Sequence, residues 1–383
     1  MKCASDLSAV SSEPPFLVVA VTGRALAGSA ARGRLPVVVL DLFDDRDTRA
    51  AAVLSRSVRA PRRLRFDGRV LLGAARTLAP VGRCAGLVYG AGFEGRAELL
   101  AQLAAGRRLY GNDPSVVAAV RDPGRFFRLL DRLGIGHPRV RRQPPRSPSG
   151  WLVKHAGGAG GAQVRFAAGG RAGAGAYFQR FEAGRTLSAL FLADGRRACV
   201  VGVNEQWTAP ARPGRPFLYG GAVGGVSLPA PAAARLRANL DALVAATGLV
   251  GLNGIDFLLR DEECLVLEVN PRPTATLDLY DEDYPRGLFE WHLRACRGEL
   301  PKQPAQARAV RAHAVVYSAG LGRVGPGRTF PSWCSDVPHP GSCFAAGDPI
   351  CTVHAAGRDA ARAITRLQRR RALIESAVGA AAA

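Results

Sequence analysis

Lysine is nearly missing from this chain: it stands only at Lys2, Lys154 and Lys302 in 383 residues. The formal charge is nevertheless +21, with a pI near 10.9. The positive charge is therefore almost all arginine, spread from Arg24 to Arg371 rather than massed in one tail. Nucleic-acid binders concentrate basic residues in clusters, so no nucleic-acid partner is expected, while an anionic small molecule fits the charge. No apolar run approaches the ~20 residues of a membrane helix. Residues 16–31 end in small residues that mimic a cleavage site, but Glu13 precedes them and Arg24 interrupts them, which argues against a signal peptide. Eight cysteines are too few for a disulfide scaffold. Cys334, Cys343 and Cys351 fall near His339 and His354 but match no zinc spacing; buried reduced thiols are expected. The expected location is the cytoplasm.

What is present is globular. A hydrophobic content of 48% and this length allow two or three domains with a large core. The first third alternates short β-rich runs (16–21, 36–41, 86–90, 108–110) with helical stretches (28–33, 48–57 and one ending near 104). That alternation implies an open parallel sheet. Ligands of such sheets bind beyond the carboxyl ends of the strands, so the loop 90–96 is a candidate site wall. Gly90, Gly92 and Gly95 have dinucleotide-type spacing, but the next strand ends in Tyr110-Gly111-Asn112, without the acidic residue that a nucleotide fingerprint requires.

The texture then changes. Asp113-Pro114-Ser115 starts a helix, a second spans 125–133, and a Pro- and Arg-rich loop fills 141–150. Strand 151–154 ends at Lys154 and runs into His155-Ala156-Gly157-Gly158-Ala159-Gly160-Gly161, then returns through 162–166. Glycines let backbone N–H groups approach an anion, and Lys154 adds a point charge at the loop's base. No Gly-Lys-Ser/Thr follows, so this is not a Walker loop. An ordinary glycine-rich turn is the alternative. Strands at 176–185, 186–193 and 197–203, and a helix at 231–248, follow.

Two apolar runs, 254–260 and 264–270, flank the acidic turn Asp261-Glu262-Glu263 and read as an antiparallel hairpin. Centring the turn on Glu262 puts Asp256 opposite Glu268, and alternation puts Asn270 on the same face as Glu268. Opposed like charges destabilise a sheet unless a hard cation lies between them, and carboxylate and amide oxygens suit Mg²⁺. A solvated hairpin face is the alternative. Pro271 ends the strand and Arg272 follows. A polar loop (274–284), a helix (288–297), strands at 312–317 and 349–354 and a basic helix (358–376) complete the chain.

A basic glycine-rich hairpin about a hundred residues before an Asp on one strand and Glu-x-Asn on the next resembles the ATP-grasp superfamily of carboxylate–amine ligases, over roughly 111–299. The resemblance implies an N-terminal open parallel α/β domain (1–110), then an ATP-grasp fold of two α+β subdomains clasping ATP (111–300, lid about 137–184). A C-terminal β-rich segment (301–383) would complete the catalytic domain. It implies ATP with Mg²⁺ or Mn²⁺ as cofactors, and Asp256, Glu268 and Asn270 as metal ligands. Lys154 would touch the phosphates beneath Gly157, Gly158, Gly160 and Gly161. Gln179, Arg180, Phe181 and Glu182 would form the adenine-reading hinge, and Arg272 would brace an acyl phosphate. Two positions depart from the family pattern: a phosphate lysine is replaced near Arg125, and a ribose-binding acid by Thr186, whose job Glu182 could take. Gly90-Ala91-Gly92-Phe93-Glu94, Tyr110-Gly111-Asn112 and Asn-Pro-Arg-Pro most resemble a group of ATP-dependent carboligases related to the tyramine–glutamate ligase of methanofuran-type cofactor synthesis.

The expected activity is ADP-forming ligation of a carboxylate, glutamate-like in an arginine-rich cleft, to an amine, with Thr274, Thr276, Asp278 and Tyr280 lining the amine pocket. The expected partners are those two small molecules, with no membrane and with room for a homodimer. An ATP-grasp carboxylase, a phosphotransferase and a non-catalytic ATP-binding regulator are the alternatives. The acid, the amine and the ribose-binding residue stay open.

Overall fold

The computed structural model describes residues 13–60, 64–168, 173, 175–209 and 214–379. Parts of the expected first domain (1–12 and 61–63), lid (169–172 and 174) and C-terminal segment (380–383) lie outside the described residues.

The first third forms a five-stranded parallel sheet of β1 (Phe16–Val19), β2 (Val37–Asp41), β3 (Leu54–Ser57), β4 (Gly86–Tyr89) and β5 (Leu109–Tyr110), in the order β3-β2-β1-β4-β5. β1, β2 and β4 are buried along their whole length, as expected when helices cover both faces of a parallel sheet. The connecting helices are α1 (Arg24–Arg32), α2 (Arg46–Ala51), α3 (Gly68–Leu78) and α4 (Ala97–Ala104). The stretch 48–57 was expected to be helical throughout. Instead α2 stops at Ala51, the chain turns extended at Ala52, and 54–57 pairs with β2 as an edge strand; sheet pairing outweighs local propensity there. The strand order reverses at β1, whose neighbours are β2 and β4, so the loop 90–96 leaves the sheet beside the switch point where ligands collect.

Helices α5 (Pro114–Arg121) and α6 (Pro123–Leu133) have Asp113 and Asp122 as N-caps, each followed by proline at the first helical position. A four-stranded antiparallel sheet follows: β6 (Val140–Arg141), β7 (Trp151–His155), β8 (Arg165–Phe166) and β9 (Ala176–Arg180), ordered β6-β9-β7-β8.

The largest sheet has eight strands. Its members are β10 (Arg185–Asp194), β11 (Ala198–Thr208), β12 (Tyr219–Val223), β13 (Val250–Arg260), β14 (Glu263–Asn270), β15 (Val310–Tyr317), β17 (Cys334–Ser335) and β19 (Pro349–Gly357). They run in the order β14-β13-β10-β11-β12-β15-β19-β17, so the C-terminal strands extend the sheet that carries the acidic hairpin. A short pair, β16 (Gly322–Arg323) and β18 (Cys343–Phe344), stands apart. Helix α7 (Ala230–Thr247) packs Leu236, Leu240 and Leu243 against one face, helix α8 (Gly287–Ala295) joins that sheet to the first domain, and α9 (Ala360–Gly379) covers β15 and β19. One apolar cluster contains Phe16, Val18 and Leu26 with Leu190, Leu252 and Phe289. The first domain is therefore fixed against the large sheet by continuous packing rather than tethered. Among the described residues no helix is long and apolar enough to cross a membrane. Of the three late cysteines only Cys351 is fully buried; Cys343 lies exposed on β18, which corrects the expectation for that thiol.

Candidate active site

The acidic hairpin reaches its register by an indirect route. The turn is two residues long, Asp261-Glu262, with Asp261 at φ +55, a left-handed conformation that Asp tolerates in tight hairpins. Arg260 therefore pairs with Glu263 and Phe257 with Val266. Continued without interruption, that ladder would set Asp256 opposite Leu267. A bulge at Leu267 inserts one residue, and Asp256 pairs with Glu268, Gly254 with Asn270. Bulges of this kind re-aim side chains near sites. Asn270 Nδ2 donates to Asp256 Oδ2 (2.9 Å), and Gln206 Nε2, from β11, donates to Asp256 Oδ1 (3.0 Å).

The two carboxyl groups are driven apart. Burial, then the Glu268 charge, pushes Asp256 up to about 7. Burial also acts upward on Glu268, but Arg121 and Lys154 outweigh it and hold that carboxyl below its usual range. Without a cation the pair thus tends to keep one proton near neutral pH. Two carboxylates and an amide oxygen on one face are the donor set of a hard oxygen-seeking cation, so these residues fit Mg²⁺.

Lys154 is the penultimate residue of β7, and its Nζ donates to Gln179 Oε1 (2.9 Å), which lies on β9 rather than in the linker beyond it. Burial lowers the Lys154 pKa, opposed by the attraction of Glu268 and Asp256. Arg121, at the end of α5, was not singled out by sequence. One of its nitrogens donates to Glu268 Oε2 (3.2 Å), the other to the carbonyls of Ala156 (3.1 Å) and Gly158 (2.6 Å). Arg125, the position compared with a phosphate lysine, is exposed instead. The glycine loop is folded into the cleft. A Cβ on Gly95 would lie 2.8 Å from Gly157 Cα, and one on Gly161 only 1.8 Å from the Phe217 carbonyl. Tyr219 N donates to Gly160 O at 2.9 Å. Only glycine allows backbones this close.

Residues 181–184 carry the chain from β9 to β10. Arg180 donates to Ser149 O, Phe181 packs on Phe166 with ring centroids 5.5 Å apart, and Glu182 pairs with Arg260 at 3.4 Å. Thr186 is exposed. Arg272 Nε meets Glu94 at 2.5 Å and its NH2 group meets Asn270 Oδ1 at 3.3 Å. Glu94 is buried, but Arg272 outweighs that burial and keeps it ionised. Asn112 anchors this corner: its Nδ2 donates to Asn253 Oδ1 and to Pro271 O, and its Oδ1 accepts from Val250 N. Tyr280, expected along a substrate pocket, is 6% exposed and donates to the Val203 carbonyl. It is core, because the chain at 275–279 winds into a 3-10 turn that carries the ring under β11.

Residues 122–276 match the model of the ATP-grasp domain family. The chain carries an ATP-grasp domain. Solved structures agree in fold, mixed α/β with parallel and antiparallel sheets. A variant of Rhizobium etli pyruvate carboxylase superposes over 96% of this chain at 14% identity and TM-score 0.71, although this chain spans only 39% of its length. Campylobacter jejuni biotin carboxylase has TM-score 0.71 at 12% identity, with 91% of this chain and 89% of that chain covered. An L-amino acid ligase from Bacillus licheniformis has TM-score 0.68 at 12% identity, covering 94% and 98%. No curated protein matches by sequence. The ATP-grasp domain holds Asp256, Glu268, Asn270, Lys154, Gln179 and the glycine loop on one cleft, with Arg272 at its border with the first domain. Sequence reading missed Arg121 and Gln206 because nothing local distinguishes them: each reaches the cleft only through a strand or helix folded beside the hairpin.

Proposed function

We propose that the chain is an ADP-forming carboxylate–amine ligase. The observation that carries this reading is the Asp256–Glu268–Asn270 patch, faced by Lys154 and Arg121 and bordered by Arg272. ATP-grasp domains use ATP and Mg²⁺. Asp256, Glu268 and Asn270 would hold Mg²⁺ (or Mn²⁺), which when bound supplies neutralising charge to the phosphates. Lys154 and the loop amides of Gly157, Gly158, Gly160 and Gly161 bind phosphate oxygens, and the backbone from Gln179 through Arg180 and Phe181 to Glu182 borders the base. A substrate carboxylate oxygen attacks the γ-phosphorus and ADP leaves. Arg272, held by Glu94 and Asn270, orients the resulting acyl phosphate. An amine then attacks the acyl carbon and phosphate leaves. Positioning and charge neutralisation suffice for such phosphoryl transfer, so no protein nucleophile is needed.

The near-complete mutual coverage with an L-amino acid ligase supports an amino-acid-like acid. The resemblance to the carboligase group supports a glutamate-like acid and a role in methanopterin- or methanofuran-type cofactor synthesis. The biotin carboxylase likeness favours one second reading, with bicarbonate as the acid. ADP release across a panel of acids and amines tests the first. With ¹⁸O-labelled carboxylate, one label should appear in released phosphate. Label retained wholly in the product, or AMP and pyrophosphate in place of ADP, would overturn it; turnover that needs only bicarbonate would select the second reading.

A further inference from the structure

Outside the ATP cleft, two histidines far apart in sequence are brought together. β15 and β19 pair so that His313 lies directly opposite His354. Both rings face Asp278, on the turn after the acidic hairpin. One oxygen of Asp278 and one nitrogen of each histidine lie within 4.8 Å of one another. His313 is 1% exposed, and its Nδ1 is buried without a hydrogen-bond partner. Its other nitrogen, Nε2, is engaged by the Tyr219 hydroxyl at 2.6 Å. His354 Nε2 is likewise engaged, by Ser335 Oγ at 2.6 Å. Arg24 grips both oxygens of Asp278, at 2.7 and 2.5 Å.

A buried imidazole nitrogen left without a partner is destabilising, and a ligand that accepts its lone pair removes that cost. The surrounding hydrogen bonds are those that metal-binding imidazoles and carboxylates ordinarily have. The second ring nitrogen of each histidine is fixed by an oxygen, and the carboxylate is oriented by a guanidinium. Each Asp278 oxygen keeps a second lone pair beyond its bond to Arg24. The local charge also favours a cation, because Arg24 is the shared partner of three carboxylates, Asp47, Asp278 and Asp336. Two imidazoles with one carboxylate select a first-row transition metal over Mg²⁺. We propose that His313, His354 and Asp278 form a second metal site, for a zinc-class divalent ion, at the junction of the first domain and the C-terminal strands. It shares no residue with the Asp256–Glu268–Asn270 patch.

The test uses the full chain, stripped with chelator and titrated with Zn²⁺ or Co²⁺ in the absence of nucleotide. One equivalent should survive gel filtration, and Co²⁺ should give visible d–d bands of a nitrogen–oxygen site. His354→Ala and Asp278→Asn should each weaken binding by about 10–100-fold or more, and Ser335→Ala, which frees the ring, by about 10-fold. Glu268→Gln should leave the stoichiometry unchanged, which separates this site from the ATP cleft whatever the enzyme's activity proves to be. His354 is only half-buried, so its variant is expected to fold, with circular dichroism as the check. The proposal is overturned if the folded parent retains no metal, if His354→Ala binds as the parent does, or if a thiolate-to-cobalt band moves the ion to Cys334. A cluster that binds no metal but is protected by an ammonium substrate would equally overturn it.

Discussion

The opposed behaviour of Asp256 and Glu268 makes Asp256→Asn the sharpest perturbation. Burial and the Glu268 charge push Asp256 up to about 7, against about 3.9 in an unfolded chain. The shift is upward, so the native state holds a proton that the unfolded state has lost between those values. The contribution of Asp256 to stability therefore falls as pH rises from about 4 to 7 and stays low above it. Because Asp256 and Glu268 titrate together, that contribution is on the order of a few kcal/mol at most. Asparagine does not ionise, so the variant lacks this slope. It does lose an acceptor for Gln206 or Asn270, at a cost of about 1–3 kcal/mol. Near pH 5 the variant should therefore be equal to or less stable than the parent. Near pH 8 it should gain by about 1 kcal/mol or more, while ATP turnover is lost. The assay is urea unfolding in EDTA at several pH values, with the difference between the two proteins as the readout. Parallel stability curves across pH 5–8 would refute the assignment of the raised carboxyl to Asp256.

Glu268→Gln should abolish ADP release with circular dichroism unchanged; retention within about tenfold, under roughly 1.4 kcal/mol of barrier, would be inconsistent with a metal role. It should also destabilise the protein, in contrast to Asp256→Asn at high pH, because Arg121, whose side chain is 7% exposed, loses its ionised partner. Hydrogen exchange across 155–163 should slow on adding saturating Mg–ATP, as loop closure over phosphates requires; identical exchange with and without nucleotide would remove the loop from nucleotide binding. Gly161→Ala sets a Cβ against the Phe217 carbonyl at a φ of +71, so KM for ATP should rise about tenfold or more with the global unfolding midpoint little changed. An unchanged KM would show that the folded-down loop position is not the working one.

Features governed by short-range rules were legible from the sequence. The hairpin follows from two apolar runs around an acidic turn, and alternation puts Glu268 and Asn270 on one face. The glycine run after Lys154, the proline-started helices and the alternating first domain are similarly local, because turn chemistry, capping and side-chain period act over a few residues. Even so, the Asp256–Glu268 pairing arrived with a shorter turn than expected plus a bulge at Leu267, two offsets that cancel. The edge strand at 54–57 was misread because its pairing with β2, not its own composition, makes it a strand. Tyr280 was taken for a pocket residue and is core. Arg121, Gln206 and Glu94 needed the folded chain, since each meets its partner across 50 or more residues. The His313–His354 pair is the clearest case: the strands carry no metal spacing, and only the register of β15 on β19 places the rings opposite one another above Asp278. Local sequence determined which residues share a strand face or a turn. Tertiary packing decided which faces meet, because that depends on burying apolar surface from distant segments together.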